Sequence, residues 1–493
     1  MTPSTTREVN PWTVLAIASA ATFMVMLDTQ VLFVAFGDIR ASFPSVSFAT
    51  MSWTLSAYTI ALAATLVTAG RMTDRFGRRR TFVTGLVIFT VASLLCGLAP
   101  APGLLVAFRV VQAFGAAALM PSSLALVLSV FPPARVPVAV ATWGAAGAFA
   151  AGVGPTAGAL LIEAFGWRSV FLANVPVGIV ALALSISLLP ESREAVRERF
   201  PDVLGILLLA GSLTLLSLGI VQSEHWGALS LPTAGVVACG LAVLVWFVRR
   251  SLSVPHPALN LSLFTRPSFR WANITTGVFT IGFTAMFFAL IQFMTDVWHY
   301  SVIEAGLAMM PAAFIVMVLA PLMGRVAARY GQRGLLIPGG LVYAGSGALL
   351  LSLDTDPSWF TDLLPSSLLT GLGASLVLPQ LTSAAVRELS SDEFGAGAAV
   401  NQAIRQFGAT FGIALTVALL AGATPSDAVA HFQRVWILIL TCGVLASVAA
   451  IALPHGPRST APVVAPVPAG PPADQLFTDN PSLQGDIRAR NHQ

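Results

Sequence analysis

Apolar runs long enough to cross a bilayer recur along nearly the whole chain, and they constrain the fold more than any single residue does. A hydrocarbon core takes about 20 apolar residues as a helix. Such runs fall near residues 12–36, 49–69, 82–100, 104–129, 138–162, 169–189, 204–222, 231–248, 272–295, 305–324, 335–352, 363–386, 397–422 and 433–453. Only 10% of the 493 residues are charged, against about 25% in an average soluble domain. That shortage excludes a soluble globular protein and a disordered one. The runs are also too long and too uniformly apolar for barrel strands of about 9–11 alternating residues. The expected fold is an all-α polytopic membrane protein with fourteen transmembrane helices, the seventh and eighth runs forming either two spans or one loose hairpin. No small-residue cleavage site closes the first run, which is expected to remain as a span.

The charges add an orientation. All 26 basic residues are Arg, a usage that fits a GC-rich bacterial genome. Without Lys there is no Walker lysine, so the chain is not itself a P-loop ATPase. With the N-terminus placed in the cytoplasm, 21 of the 26 Arg fall in inner segments. Arg40, Arg168 and Arg434 fall outside, and Arg109 and Arg405 fall within spans. This positive-inside bias predicts cytoplasmic termini in a bacterial cytoplasmic membrane. It also makes the net charge of +4 a mark of topology rather than of nucleic-acid binding. Trp12, Trp53, Trp167, Trp226, Trp271, Trp298, Trp359 and Trp436 lie near span ends, as an interfacial belt requires. Cys96, Cys239 and Cys442 occupy separate runs and read as helix packing, and all six His fall in loops or tails, so no metal site is expected.

A repeat divides the chain. GRMTDRFGRRR (Gly70 to Arg80) follows the second run and GRVAARYGQR (Gly324 to Arg333) follows the tenth. Each loop joins the second and third helices of a half, so the seventh and eighth runs are an inserted pair. The expected organisation is a cytoplasmic segment at 1–11, a six-helix bundle at 12–189, a linker with two inserted helices at 190–248, a cytoplasmic loop at 249–271, a second six-helix bundle at 272–453, and a disordered Pro-rich cytoplasmic tail at 454–493.

Several motifs stand out. In the first loop Gly70 permits close helix approach, Gly77 permits a tight turn, and Asp74 can cap a helix or pair with Arg75 or Arg78. The Arg78–Arg80 run lies at headgroup level, suited to anionic lipids. Arg109 and Gln112 lie in mid-span, where an Arg costs at least about 2.5–3.5 kcal/mol and needs a partner or a wet cavity. Gly147, Gly154, Pro155 and Gly158 give the fifth run a smooth, bendable face. Asp28 is the one acidic residue deep inside a run. Low dielectric disfavours a lone ionised carboxyl, which makes Asp28 a candidate to load and release a proton.

The spacing G-x-x-x-D-R-x-G-R-R resembles the signature loop of the major facilitator superfamily. RVVQAF (Arg109 to Phe114) resembles its span-four motif, with Ala113 where Gly is usual. Gly154-Pro155 with Gly158 resembles its antiporter motif, with Ala159 for a second Gly. WRSVFLANVPVG (Trp167 to Gly178) and NQAIRQFG (Asn401 to Gly408) resemble stretches of its fourteen-helix drug:proton antiporters. LDTQVLFVAFG (Leu27 to Gly37) resembles its span-one motif, with Phe33 for Asn and Gly37 for Pro.

The resemblance implies two six-helix bundles plus two inserted helices, and a proton-coupled exporter of amphipathic organic compounds, with no enzyme activity. Asp28 is then the proton site and Arg109 its tuner. Gly70, Asp74, Arg75, Gly77 and Arg78 form the gate loop, and Gly147, Gly154, Pro155 and Gly158 the hinge. Gln30, Phe33, Gln112, Gln292 and Arg405 are cavity candidates, Arg405 being equally suited to a structural place near an interface. The expected partners are a small amphipathic substrate, protons and membrane lipids. No metal, cofactor or nucleic acid is implied, and the carrier is expected to act as a monomer driven by the proton gradient. A lipid, siderophore or self-made metabolite is the alternative cargo, mildly favoured by Phe33 and by Phe279, Phe283, Phe287 and Phe288. A membrane enzyme or sensor would instead need an interfacial His/Asp/Glu cluster or a soluble output domain, and neither is visible in the sequence.

Overall fold

The computed structural model describes residues 10–132, 135–190, 202–227, 230–255, 257–389, 394–424 and 426–454. The expected tail from 455 onward, the first nine residues, and the side chains of Arg71, Asp74 and Arg75 lie outside the described part. The first half holds α1 (Pro11–Ser42), α2 (Phe48–Met51), α3 (Trp53–Phe76), α4 (Arg78–Gly97), α5 (Pro102–Val130), α6 (Val136–Phe165), α7 (Arg168–Leu172) and α8 (Asn174–Leu188). Then come α9 (Val203–Trp226) and α10 (Leu231–Ser253). The second half holds α11 (Pro267–Asp296), α12 (Val302–Ala308), α13 (Met310–Tyr330), α14 (Arg333–Leu350), α15 (Leu364–Val386), α16 (Phe394–Leu420) and α17 (Ala428–Ile451). There is no strand among the described residues. Eleven described helical stretches are long and apolar enough to cross a membrane, and the chain is a multi-pass membrane protein.

Helices follow from the solvent. Hydrocarbon offers no partner for backbone N–H and C=O groups, so each spanning segment must satisfy its own. Helix starts are written locally. Asn10 accepts from the Trp12 N–H ahead of Pro11, Asp202 caps α9 through Gly205, and Ser301 with Glu304 makes a reciprocal capping box on α12. Asp202 also accepts from Arg250 at 2.9 Å, which ties the start of α9 to the end of α10. Burial pushes the Asp202 carboxyl up, but Arg250 and the Gly205 N–H outweigh it and hold it below its ordinary range. The seventh and eighth runs are therefore two packed helices.

The two halves repeat one packing scheme. α1 packs on α6 as α11 packs on α16, α4 on α5 as α14 on α15, and α3 on α5 as α13 on α15. Gly77 ends α3 at φ 102° and Gly331 ends α13 at φ 77°, a backbone that residues with a Cβ rarely adopt. α9 touches α3 and α16, one helix from each half.

Several expectations change. Gly70–Arg80 is not a loop: α3 stays helical to Phe76 and only Gly77 turns, its N–H still bonded to Thr73 O. Gly70 faces Pro121 at 3.8 Å, where a methyl group fits, so it does not enforce close approach. The stretch 249–271 is helical at both ends, since α10 runs to Ser253 and α11 starts at Pro267. The Trp belt is incomplete. Trp167 donates to Ser42 Oγ, Trp298 donates to Asp354 O, and Trp436 packs on Phe293 and Phe432, all three buried because their rings fill bundle ends. Two His also differ: His225 and His431 belong to terminal turns of α9 and α17 rather than to loops.

Candidate functional site

Five helices converge on Asp28. Its Oδ2 accepts from Arg109 Nη1 at 2.6 Å. Its Oδ1 accepts from Gln112 Nε2 and Asn174 Nδ2, both at 2.9 Å. Arg109 and Gln112, three residues apart on α5, share one helix face, and Gln112 Oε1 accepts from Arg109 Nη1 at 2.6 Å. Gln112 also donates to Ser93 Oγ of α4 at 2.7 Å. Arg109 Nε donates to Thr54 O at the start of α3, and its guanidinium lies 3.9 Å from the centre of the Tyr58 ring. The Asp28 side chain is fully buried and that of Arg109 is 1% exposed.

This arrangement answers the cost of charge in a membrane. Neither partner is stable there alone, and a buried pair persists only when its remaining donors and acceptors are also met. Here one carboxylate takes a guanidinium and two amides. The cluster is thus a buried ion pair whose remaining donors and acceptors are met from neighbouring helices. Gln112, expected on a cavity wall, is instead inside the cluster with no exposure, because Asp28 needs its amide. Sequence reasoning quoted Asn174 within a motif but gave it no role, and it missed Ser93, Thr54 and Tyr58. Asn174 lies 146 residues from Asp28, so only its motif position signalled it.

The hinge candidates differ among themselves. A methyl on Gly158 would lie 2.5 Å from Val31 Cγ1 and one on Gly154 2.7 Å from Gln30 Cβ, whereas one on Gly147 meets nothing closer than 3.6 Å. Gly154 and Gly158 therefore set the α1–α6 distance, and Gln30 packs over Gly154. Pro155 lies inside α6, and beside it Thr156 donates to Gly306 O of α12 in the other half.

The halves are also joined where Arg40 ends α1. Arg40 pairs with Asp296 at 3.5 Å. Phe288 meets Phe33, Phe36 and Phe48, with ring centres 6.2, 5.0 and 6.1 Å away. Phe33 is thus buried in this seal and not on an open cavity wall, because it pairs across the halves. A cavity of about 830 Å³ lies there, lined by Arg40, Phe48, Gln292, Asp296, His299 and Phe432 among others. Gln292 is 1% exposed, and its amide has no hydrogen-bond partner among the described residues. Phe288→Ala should lower stability by about 3–5 kcal/mol. Arg40→Ala, breaking a half-exposed pair, should lower it by about 0–1 kcal/mol. Thermal unfolding of the purified protein compares the two.

Arg405 stands alone. It is partly exposed in mid-α16 and makes no ion pair or hydrogen bond with another described residue. In the turn region, Arg78 is partly exposed beside Gly77, while Asp74 and Arg75 carry no described side chain. No group of three or more His, Cys, Asp or Glu fit to hold a metal occurs among the described residues.

The profile of the Major Facilitator Superfamily matches residues 18–413 and 272–483. The tetracenomycin C resistance and export protein of Streptomyces glaucescens is 30% identical over 426 residues, 85% of this chain and 78% of the relative. The multidrug resistance protein B homolog of Mycobacterium tuberculosis is 33% identical over 404 residues, 81% of this chain and 74% of the relative. The cephamycin export protein of Amycolatopsis lactamdurans is 32% identical over 463 residues, 92% and 94% of the two chains. On the profile match and these relatives, the chain belongs to the Major Facilitator Superfamily of membrane transporters.

Proposed function

We propose that the protein is a proton-coupled exporter that moves amphipathic organic compounds out across the bacterial cytoplasmic membrane by alternating access. The observation that carries this reading is the fully buried Asp28–Arg109 pair with its two amide donors. An ion pair there is a poor device for stability alone and a good one for sensing a proton. Proton entry drives the cycle, so neither ATP nor a bound cofactor is needed; each charge crossing the membrane carries about 2.3 kcal/mol per 100 mV.

In this reading α3, α6 and α14 cross the membrane beside the eleven stretches, giving fourteen spans with both termini cytoplasmic. The turn at Gly77, with Gly70, Asp74, Arg75 and Arg78, is the inner gate, and Arg78–Arg80 hold it against lipid headgroups. Gly154, Pro155 and Gly158 carry the bend, while the Arg40–Asp296 pair and the Phe288 cluster form the outer seal. The carrier works as a monomer. Two of the relatives are named for the export of one compound each, which supports a self-made metabolite as an alternative cargo.

Inverted membrane vesicles test the coupling. Adding a transported amphipathic dye to vesicles holding a pH gradient should release protons, and a protonophore should stop dye uptake. Uptake that survives collapse of the gradient would overturn the reading.

A further inference from the structure

We propose that the site takes an anionic amphipathic molecule, with Arg405 as the group that binds its acidic function. This deepens the transport reading above and rests on it.

The argument is a charge balance in the membrane interior. Asp28 is the one carboxylate deep in a span, and it is spent: Arg109, Gln112 and Asn174 hold both its oxygens and none of its side chain is exposed. It offers no free charge to a cationic molecule. The pair cancels itself, and Arg405 remains as the net charge. Among the described residues no carboxylate is placed to answer it. The helices packed on α16 with membrane-spanning length are α3, α9, α11, α15 and α17. α15 and α17 contain no Asp or Glu, and Asp74, Glu224 and Asp296 each stand within three residues of a helix end. Thr59 of α3 and Thr410 of α16 are hydrogen-bonded at 2.7 Å and fix the relative level. From there Arg405 is about 8 Å along α16 and Asp74 about 22 Å along α3, a separation no side chain bridges.

The helix face is consistent with a ligand. Asn401, Gln402, Arg405 and Gln406 occupy one side of α16 at helical spacing. Ile404, Phe407 and Phe411 occupy the other and pack into the core. Arg405 therefore lies on the polar side of a helix that touches the opposite half of the protein. On the neighbouring α11 the partly exposed rings of Phe283 and Phe287, 4.9 Å apart, supply an aromatic surface. A guanidinium on one helix with aromatic rings farther along its neighbour suits an aromatic molecule carrying a carboxylate, sulfonate or phenolate.

The test uses two three-ring xanthene dyes of opposite charge, fluorescein and rhodamine 6G, with neutral Nile red as a third probe. The full-length protein is reconstituted in liposomes holding a pH gradient. Fluorescein should be moved in preference to rhodamine 6G. Arg405→Gln should cut fluorescein transport on the order of tenfold and leave Nile red transport in place, which shows the variant is folded, and Arg405→Lys should restore most of the loss. Movement of rhodamine 6G without fluorescein overturns the proposal, as does undiminished fluorescein transport by Arg405→Gln. If none of the three dyes moves, the transport reading falls and this proposal with it.

Discussion

Asp28→Asn should abolish substrate-driven proton release while leaving the protein in the membrane. The asparagine keeps the shape of Asp28 and one acceptor oxygen, but it takes up no proton. It also leaves Arg109 buried without a counter-charge, and breaking a buried pair on one side costs about 3–5 kcal/mol. Loss of coupling and loss of stability are therefore expected together, and the double variant Asp28→Asn/Arg109→Gln separates them. With both charges gone, thermal stability should recover by most of that amount, whereas proton release should not. Dye-quenching of vesicle pH reports the first quantity and thermal unfolding in detergent the second. Full proton release by Asp28→Asn would remove Asp28 from the proton pathway.

The second large effect is steric. Gly158→Ala places a methyl group 2.5 Å from Val31 Cγ1 and 3.2 Å from Val31 Cα, so α1 and α6 must part. Overpacking of this kind costs about 1–3 kcal/mol. It acts on the helix that carries Asp28, three residues from Val31, so transport should fall well beyond the stability loss. Gly147→Ala adds the same atom to the same face, where nothing lies closer than 3.6 Å, and it should leave both transport and folding near wild type. Paired uptake and unfolding measurements on the two variants decide whether the spacing at Gly158, rather than glycine content, sets the hinge.

Much of this was legible in the sequence because lipid imposes simple demands. Each spanning helix must be long and apolar, so its position was readable, and a charge within it was conspicuous for the same reason. Asp28 and Arg109 were found in that way. Their pairing was not, because uniform apolarity hides which face of a helix turns inward. Ser93 and Tyr58 look like ordinary small and aromatic residues until four other helices bring them to Asp28. Gln112 and Phe33 were placed on a cavity wall for lack of any sign that a carboxylate and a phenylalanine ring had already claimed them. Trp436 was given to the interface because distance from a span end says nothing about depth in a bundle. The turn at Gly77 was overestimated in length since arginines suggest a loop, although a helix carries them equally well at headgroup level.

The inserted pair has a geometric consequence for entry from the bilayer. A two-bundle carrier has two lateral seams, here α3 against α16 and α6 against α12 and α13. α9 packs on both α3 and α16 and so lies along the first seam. A lipid-dissolved molecule that approaches from that side meets a helix rather than a gap. α9 thus covers the first seam, and at the other Thr156 of α6 donates to Gly306 O of α12.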